Sequence, residues 1–162
     1  MRFGVTLPHF RHLASPDALR GGAHHAERLG LDSIWVTDHV VLPDSALPKF
    51  GEMFYEPLTV LAYVASITSR ISIGTSAIVL SYRNPLVTAK QLSTINVLSE
   101  GRLIFGAAPG WAENEFRALG VGFEDRGVRS DEYLRVIRTL WTENRPQFNA
   151  DFARFFDITF QP

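Results

Sequence analysis

The sequence predicts an α/β fold in which short apolar strands alternate with amphipathic helices. Three observations carry that prediction. Strand-like apolar runs begin near Phe3, Ser33, Ile71 and Leu103, a repeat of roughly 30 to 40 residues that suits one strand plus one crossover helix. Helix-start signals fall between these runs, at Ser15-Pro16-Asp17, Glu56-Pro57 and Asn84-Pro85. The strands are apolar along their length, as in a parallel sheet covered by helices. Two architectures meet these requirements: an open doubly wound sheet, or part of a (β/α)8 barrel. Four units in about 120 residues would be half of a barrel of about 250.

The elements follow in order. Arg2 to Leu7 is an apolar run stopped by Pro8, the first strand. Ser15 is a helix N-cap, Pro16 suits the first helical position and Asp17 the positive first turn. Ala18, Leu19, Gly22, Ala26 and Leu29 give that helix an apolar stripe, and Gly30 can end it in a left-handed conformation. Ser33 to His39 is a short strand that ends on two ionisable side chains. Val40 to Tyr55 is a long connection, a class of loop that tends to be functional. Leu58, Leu61, Ala62 and Ala65 line the next helix.

Ile71 to Leu80 makes the third strand, with Gly74 and Ser76 marking a bulge or a close approach to a ligand. Leu86, Ala89, Leu92 and Ile95 are periodic in the helix that closes at Gly101. Leu103 to Ala108 is the fourth strand, and Pro109-Gly110 turns it into a helix from Trp111 to Leu119. Arg129 to Thr142 is amphipathic through Tyr133, Leu134, Ile137, Leu140 and Trp141. The alternation of Phe156, Ile158 and Phe160 suggests a hairpin arm in the tail.

Bulk properties narrow the function. The 162 residues are enough for one domain with a core, and 46% hydrophobic with 20% charged residues is ordinary for a globular chain. A net charge of −1 offers no electrostatic case for nucleic acid or an anionic membrane. There is no cysteine, which excludes disulfides, thiolate nucleophiles and cysteine zinc sites. No signal-peptide pattern follows Met1, and no apolar run approaches the roughly 20 residues of a membrane span, so the expected location is the cytoplasm.

Chemistry concentrates at strand ends. Asp38 and His39 place a carboxylate and an imidazole at the carboxyl end of the second strand, where α/β proteins present reactive groups. Such a pair binds a polar ligand edge and moves a proton near neutral pH. Gly74-Thr75-Ser76-Ala77 is small enough for a flat ligand to lie against the backbone. Gly106 to Trp111 is a small-residue turn whose N–H groups suit an anion, although it is neither a GxGxxG nor a P-loop. His9 and His12 share the first loop and are expected to be solvated. His24 and His25 are adjacent on a helix and point apart. Glu113 and Glu115 are accounted for by helix-dipole placement.

Taken together, these residues resemble the bacterial luciferase-like monooxygenase family, in its branch dependent on the deazaflavin coenzyme F420. The matching pieces are Phe3 to Pro8, Ala26 to His39, Ile73 to Ala77, Tyr82 to Pro85 with Ala89 to Gln91, and Leu98 to Leu103. Gly106, Gly110-Trp111, Glu113 and Glu115-Phe116 add the fourth strand and its turn. They fall in order and cover nearly the whole chain.

The resemblance implies a fold of (β/α)8 TIM-barrel type. Residues 1–162 would be a single domain, the N-terminal half of the barrel: the first four βα units plus an amphipathic helix and a hairpin-like tail. It implies an oxidoreductase acting on a small organic substrate, with F420 as cofactor and hydride transfer as the reaction; the alternative is an FMN-dependent monooxygenase. Asp38 and His39 would be the catalytic pair, and Asp38 would also contact the ring. Thr75, Ser76 and Ala77 would lie behind the ring, with a non-prolyl cis peptide at Ser76-Ala77. Pro109, Gly110 and Trp111 would hold phosphate or tail atoms. Ala108 and Pro109 depart from the family's commoner glycine and small residue, and Trp111 stands where some members carry an acidic proton donor. The length implies a fragment of a longer enzyme. A half barrel has open sheet edges, so a homo-oligomer is expected, and a non-catalytic module that self-associates is the competing reading.

Overall fold

The computed structural model describes all 162 residues. In chain order the elements are β1 (Gly4–Thr6), α1 (Pro16–Arg28), β2 (Ser33–Val36), a 3-10 turn (Asp44–Ala46) running into the one-turn α2 (Leu47–Phe50), and α3 (Pro57–Ile67). Then come β3 (Ser72–Thr75), β4 (Ile78–Val79), a 3-10 turn (Leu80–Tyr82), α4 (Pro85–Leu98), β5 (Leu103–Ile104) and β6 (Ala107–Ala108). α5 (Glu113–Ala118), α6 (Arg126–Thr142), β7 (Phe148–Asn149) and β8 (Arg154–Phe155) complete the chain. No helix is long and apolar enough to cross a membrane. Contacts divide the chain into two compact units: residues 1–78 with 95–107, and residues 79–94 with 108–162.

The first unit holds the sheet. Its strands run in the order β1-β2-β3-β5, all parallel. A sheet whose spatial order follows the sequence is the arrangement of a (β/α)8 barrel, whereas doubly wound sheets reverse direction at a switch point. The parallel α/β character and four-unit rhythm expected from the sequence are present, and the doubly wound alternative is set aside.

The local reasons are visible in the caps. Ser15 Oγ accepts a hydrogen bond from the N–H of Ala18 at 3.1 Å, with Pro16 opening α1. Gly30 follows α1 with a positive φ of 77°, as its terminating role requires. The buried face of α1 is Leu19, Ala23 and Ala26, while Leu29 is exposed, so the stripe ends a turn earlier than the sequence suggests. At α3 the cap is the Glu56 carboxylate, which accepts from the Thr59 N–H at 2.7 Å. α1 and α3 pack on each other, and both pack on β2. Ile34, Val36, Leu61, Val64, Ile71 and Ile73 are fully buried in this core, each contributing about 1.5–3 kcal/mol by leaving water.

On the opposite side of the strands, Trp35 dominates. A Cβ on Gly4 would lie 2.5 Å from Trp35 Nε1, and a Cβ on Gly74 would lie 2.5 Å from Trp35 Cζ3. The indole therefore lies across both neighbouring strands at positions where neither carries a side chain, and its N–H donates to Ser33 Oγ at 2.9 Å.

Two charged side chains lock the connections. Glu27 accepts the N–H groups of Ser69 (3.0 Å), Arg70 (2.6 Å) and Ile71 (2.9 Å), so it caps the turn into β3. Partial burial favours its protonated form, but the three N–H donors and the Arg70 guanidinium outweigh burial and hold this carboxyl below the usual range. Arg102 places every one of its donors. Nε bonds Ser99 O (2.8 Å), Nη1 bonds Thr68 Oγ1 and Ile71 O (2.9 Å each), and Nη2 bonds Ala65 O (3.0 Å) and Thr68 O (2.9 Å). One guanidinium thus ties the end of α3, the start of β3 and the turn before β5.

The second unit is built around α6. Val79, Tyr82 and Phe116 form its buried cluster, against which Leu119, Val121 and Phe123 pack. The buried face of α6 includes Tyr133, Val136, Ile137 and Leu140, whereas Leu134 and Trp141 are exposed. Glu132, only 2% exposed, accepts from the N–H groups of Phe152 and Ala153 at 2.8 Å each and so anchors the tail. The hairpin pairs Phe148 with Phe155 and Asn149 with Arg154. It therefore precedes the alternating Phe156, Ile158 and Phe160, which lie outside any strand. The alternation therefore pointed to the wrong residues, and the carboxylate of Glu132, which collects the turn's N–H groups, holds the hairpin where it is.

Candidate functional site at the carboxyl edge of the sheet

β2 ends at Val36, so Thr37, Asp38 and His39 lie just past the carboxyl end of that strand. Asp38 is 5% exposed and His39 6% exposed. Both side chains are thus nearly buried, and the solvated surface pair that a bare Asp-His dipeptide could have been is not what forms.

The third strand is two strands. The sequence suggests one run from Ile71 to Leu80; the structure breaks it between β3 and β4, at Ser76 and Ala77. The Ser76–Ala77 peptide bond is cis, as the resemblance implied. Ser76 N–H donates to Val36 O at 2.7 Å, so the break sits directly beside the end of β2. His39 is three residues beyond Val36, which limits it to about 11 Å of chain from that carbonyl. Ser76 is exposed and Ala77 half-buried, and both side chains are small.

Thr75 has a different environment. It is 1% exposed, and its hydroxyl donates to Gly106 O (2.8 Å) and accepts from Gly106 N (2.9 Å). It clasps the segment after β5 to the end of β3. A Cβ on Gly106 would meet Thr75 O at 2.2 Å, so only glycine fits there. Gly106→Ala is expected to cost about 2–3 kcal/mol, because the obstacle is backbone and cannot rotate away. Urea unfolding of the variant checks this, and a loss no larger than that of Gly21→Ala, whose added Cβ meets nothing within 4 Å, would contradict it.

Two aromatic rings from the long connection cover His39. Phe50 lies 4.9 Å from it between ring centroids, and Phe54 lies 5.2 Å away, edge-on at 84°. The connection is partly helical through α2 rather than the plain loop the sequence suggests. It is pinned to the first loop by Arg11 N–H to Met53 O and Tyr55 N–H to His9 O, 2.9 Å each. His12 lines a cleft of about 550 Å³ beside this loop with Arg11, Leu47, Pro48 and Met53.

His9 is the residue that sequence reasoning misplaced. Expected to be solvated, it is 0% exposed. Its Nδ1 lies 2.9 Å from Leu7 O, and its Nε2 lies 3.0 Å from the Thr37 nitrogen and 3.2 Å from Thr37 Oγ1. Burial pushes its pKa below the ordinary value, against the opposing pull of the Leu7 and Thr37 hydrogen bonds and the Asp38 carboxylate. As pH falls below about 6.5, the unfolded chain takes up this proton before the folded one does, so stability is lost between that point and the lower folded pKa. Urea midpoints measured from pH 7.5 to 5 should fall in that window for the wild type. They should fall less for His9→Gln, which carries no titrating ring.

Pro109, Gly110 and Trp111 belong to the second unit, whereas the five predicted residues above belong to the first. Gly110 has a φ of 86°, and a Cβ there would lie 2.6 Å from Val79 Cγ1 and 2.9 Å from Phe116 Cε2. Pro109 and Trp111 are exposed, Trp111 by 58%. The helix that follows is shorter than Trp111 to Leu119, because α5 starts only at Glu113 and has no side-chain cap. Glu115 is not a dipole ornament on its surface: it is 1% exposed and accepts from the Tyr82 hydroxyl at 3.0 Å. No local signal in the sequence distinguishes it from Glu113.

Comparisons with known proteins bear on this edge. The family model described as luciferase-like monooxygenase matches residues 1–162. An F420-dependent glucose-6-phosphate dehydrogenase from Amycolatopsis mediterranei is 37% identical over 151 residues, covering 86% of this chain and 44% of that protein. An FMNH(2)-dependent dimethylsulfone monooxygenase from Pseudomonas putida is 32% identical over 111 residues, covering 67% of this chain and 30% of its own length. The crystal structure of the monooxygenase RslO1 from Streptomyces bottropensis superposes with a TM-score of 0.86 at 26% identity, over 100% of this chain and 49% of that one. The chain thus spans less than half the length of these relatives. Its sequential parallel sheet is the first four βα units of their barrel, and the chain belongs to the luciferase-like monooxygenase family.

Proposed function

We propose that this chain corresponds to the N-terminal, cofactor-facing half of an oxidoreductase that uses coenzyme F420 and acts on a small organic substrate. The observation that carries the reading is the adjacency at one sheet edge of the buried Asp38–His39 pair and the small-residue break at Ser76–Ala77, joined by the Ser76 N–H to Val36 O bond. Similarity to F420-dependent dehydrogenases supports it.

The residues present suit a deazaflavin. Ser76 and Ala77 offer backbone with little side chain in front of it, on which a flat ring can lie. When bound, F420 supplies a carbon that accepts or gives a hydride. His39 would hold or move the proton that accompanies hydride transfer, at an imidazole nitrogen whose ring Phe50 and Phe54 keep in place. Asp38, a buried carboxylate next to it in the chain, would accept a hydrogen bond from the edge of the bound ring. The aromatic cover keeps bulk water from the pair. FMN is the second reading, favoured by similarity to the FMNH(2)-dependent monooxygenase.

Fluorescence titration of the chain with F420 and, separately, with FMN tests both. Saturable quenching by F420 is the expected result, saturation by FMN alone would transfer the site to the second reading, and no change with either would overturn both. Light scattering in the same buffer tests self-association, where a particle larger than one 18.1 kDa chain is expected.

A further inference from the structure

The first loop carries a buried, polar side chain that no chemistry described above uses. We propose that His9 is the positioning residue of the Asp38–His39 pair: its neutral imidazole, protonated on Nδ1, fixes the backbone at Thr37 and, across Phe54, the ring of His39. The inference rests on the reading of that pair as the reacting one.

The hydrogen bonds assign the tautomer. Leu7 O, 2.9 Å from Nδ1, can only accept, so Nδ1 carries the proton. Thr37 N–H, 3.0 Å from Nε2, can only donate, so Nε2 presents its lone pair. A single uncharged form satisfies both, and it ties the end of β1 to the residue directly before Asp38. Protonation would turn the acceptor into a donor, which must leave Thr37 N–H and seek Thr37 O, 3.1 Å away. The backbone that aims Asp38 and His39 then loses its fixed partner.

The second contact is aromatic. Phe54 stands edge-on to both imidazoles, with centroids 5.2 Å from His9 at 89° and 5.2 Å from His39 at 84°. It stacks on Phe10 at 5.3 Å, and the Phe10–Phe54 bridge between the two loops holds it there. His9 and His39 are thus the two walls of one ring's slot. The charged groups around His9 are few. Asp38 follows Thr37 on the β2 side, Arg11 lies over the Phe10 ring at 5.9 Å, Lys49 lies over the Phe50 ring at 4.9 Å, and His39 stands across Phe54. Asp38 favours a charged His9, whereas enclosure in the protein favours the neutral ring.

The test is histidine-selective 15N NMR on the full chain, with the five histidines assigned by single substitution. His9 should show the Nδ1–H tautomer and stay neutral at pH 6.5. In His9→Phe, which keeps an aromatic ring but offers no acceptor, the His39 resonances should move. In His9→Gln, whose amide oxygen can accept from Thr37 N–H, they should return towards wild type. An Nε2–H tautomer at His9, or unchanged His39 signals in His9→Phe, would overturn the proposal, as would equal shifts in the two variants. Should His9→Phe fail to fold, the wild-type tautomer and the His9→Gln spectrum still decide. F420 and FMN titrations on the same samples keep the two readings apart. A wild type that binds neither removes the functional reading, while the NMR signals judge the positioning role by themselves.

Discussion

Arg102→Ala is expected to lower the free energy of unfolding by about 3–4 kcal/mol, a large share of the roughly 5–15 kcal/mol that holds a domain of this kind together. The size follows from the count and the places of the contacts. Five hydrogen bonds from one cation reach Ala65, Thr68 and Ile71, on the run from the end of α3 to the start of β3, and Ser99, just before the arginine itself. Charge-assisted bonds of this kind are about twice as strong as neutral ones. Removing the guanidinium leaves the last carbonyls of α3 without their donor, and Arg102 is only partly exposed, so water replaces it incompletely. Arg102→Lys should recover less than half of the loss, since an ammonium on a flexible stem cannot reproduce a planar fork. Urea unfolding followed by circular dichroism measures both variants. A loss below about 1 kcal/mol for alanine, the level of an exposed ion pair, would show that the fork is not a structural lock.

On the F420 reading proposed above, His39→Ala is expected to lower kcat/KM for F420-linked turnover by about 10²–10⁴-fold, the usual contribution of a positioned acid or base. That is about 3–5 kcal/mol of transition-state stabilisation. Most of the loss should fall on kcat, because a proton in flight matters more to the transition state than to binding. His39 also packs on Phe50 and Phe54, so His39→Phe is the control that keeps the aromatic contact and removes the proton carrier. The two variants should be equally impaired. If His39→Phe turned over like wild type, His39 would be a packing residue and the assignment would fall. His24→Ala, on the exposed side of α1, serves as the reference for an uninvolved histidine.

Much of this fold is legible because its signals are local. Ser15-Pro16, Glu56-Pro57 and Asn84-Pro85 announce helices through backbone donors that need an acceptor, and the acceptors are in place. Gly30 and Gly101 announce helix ends through a positive φ that other residues resist. The strand spacing gives the parallel character, since a crossover of that length suits βαβ units, whereas the order β1-β2-β3-β5 is visible only in the structure. What stays hidden depends on partners far along the chain. The hairpin lies at Phe148 to Phe155 because Glu132, on another element, collects its N–H groups. Leu47 to Phe50 forms a helical turn inside a proline-interrupted stretch that offers no periodicity. His9 and His12 sit three residues apart in one loop, and nothing nearby indicates that the first is enclosed by Thr37 and Phe54 while the second lines a cleft. Of the site itself, the Asp38–His39 pair and the Ser76–Ala77 break were readable, whereas the aromatic slot and its second histidine were not.

The indole of Trp35, lying where Gly4 and Gly74 leave the strands bare, has a consequence for inheritance. A side chain arriving at position 4 or 74 meets a rigid bicycle at 2.5 Å rather than a bendable chain. Neither glycine can drift while the tryptophan stays. If the tryptophan is lost first, a groove opens across three strands, position 74 becomes free to accept a larger residue, and position 4 follows once the Ser33 hydroxyl, 2.4 Å from a Cβ there, turns aside. The three positions are therefore tied in descent as a lock is to its key. Lineages that carry Trp35 should carry both glycines, and those that have replaced it should have filled the space from either side.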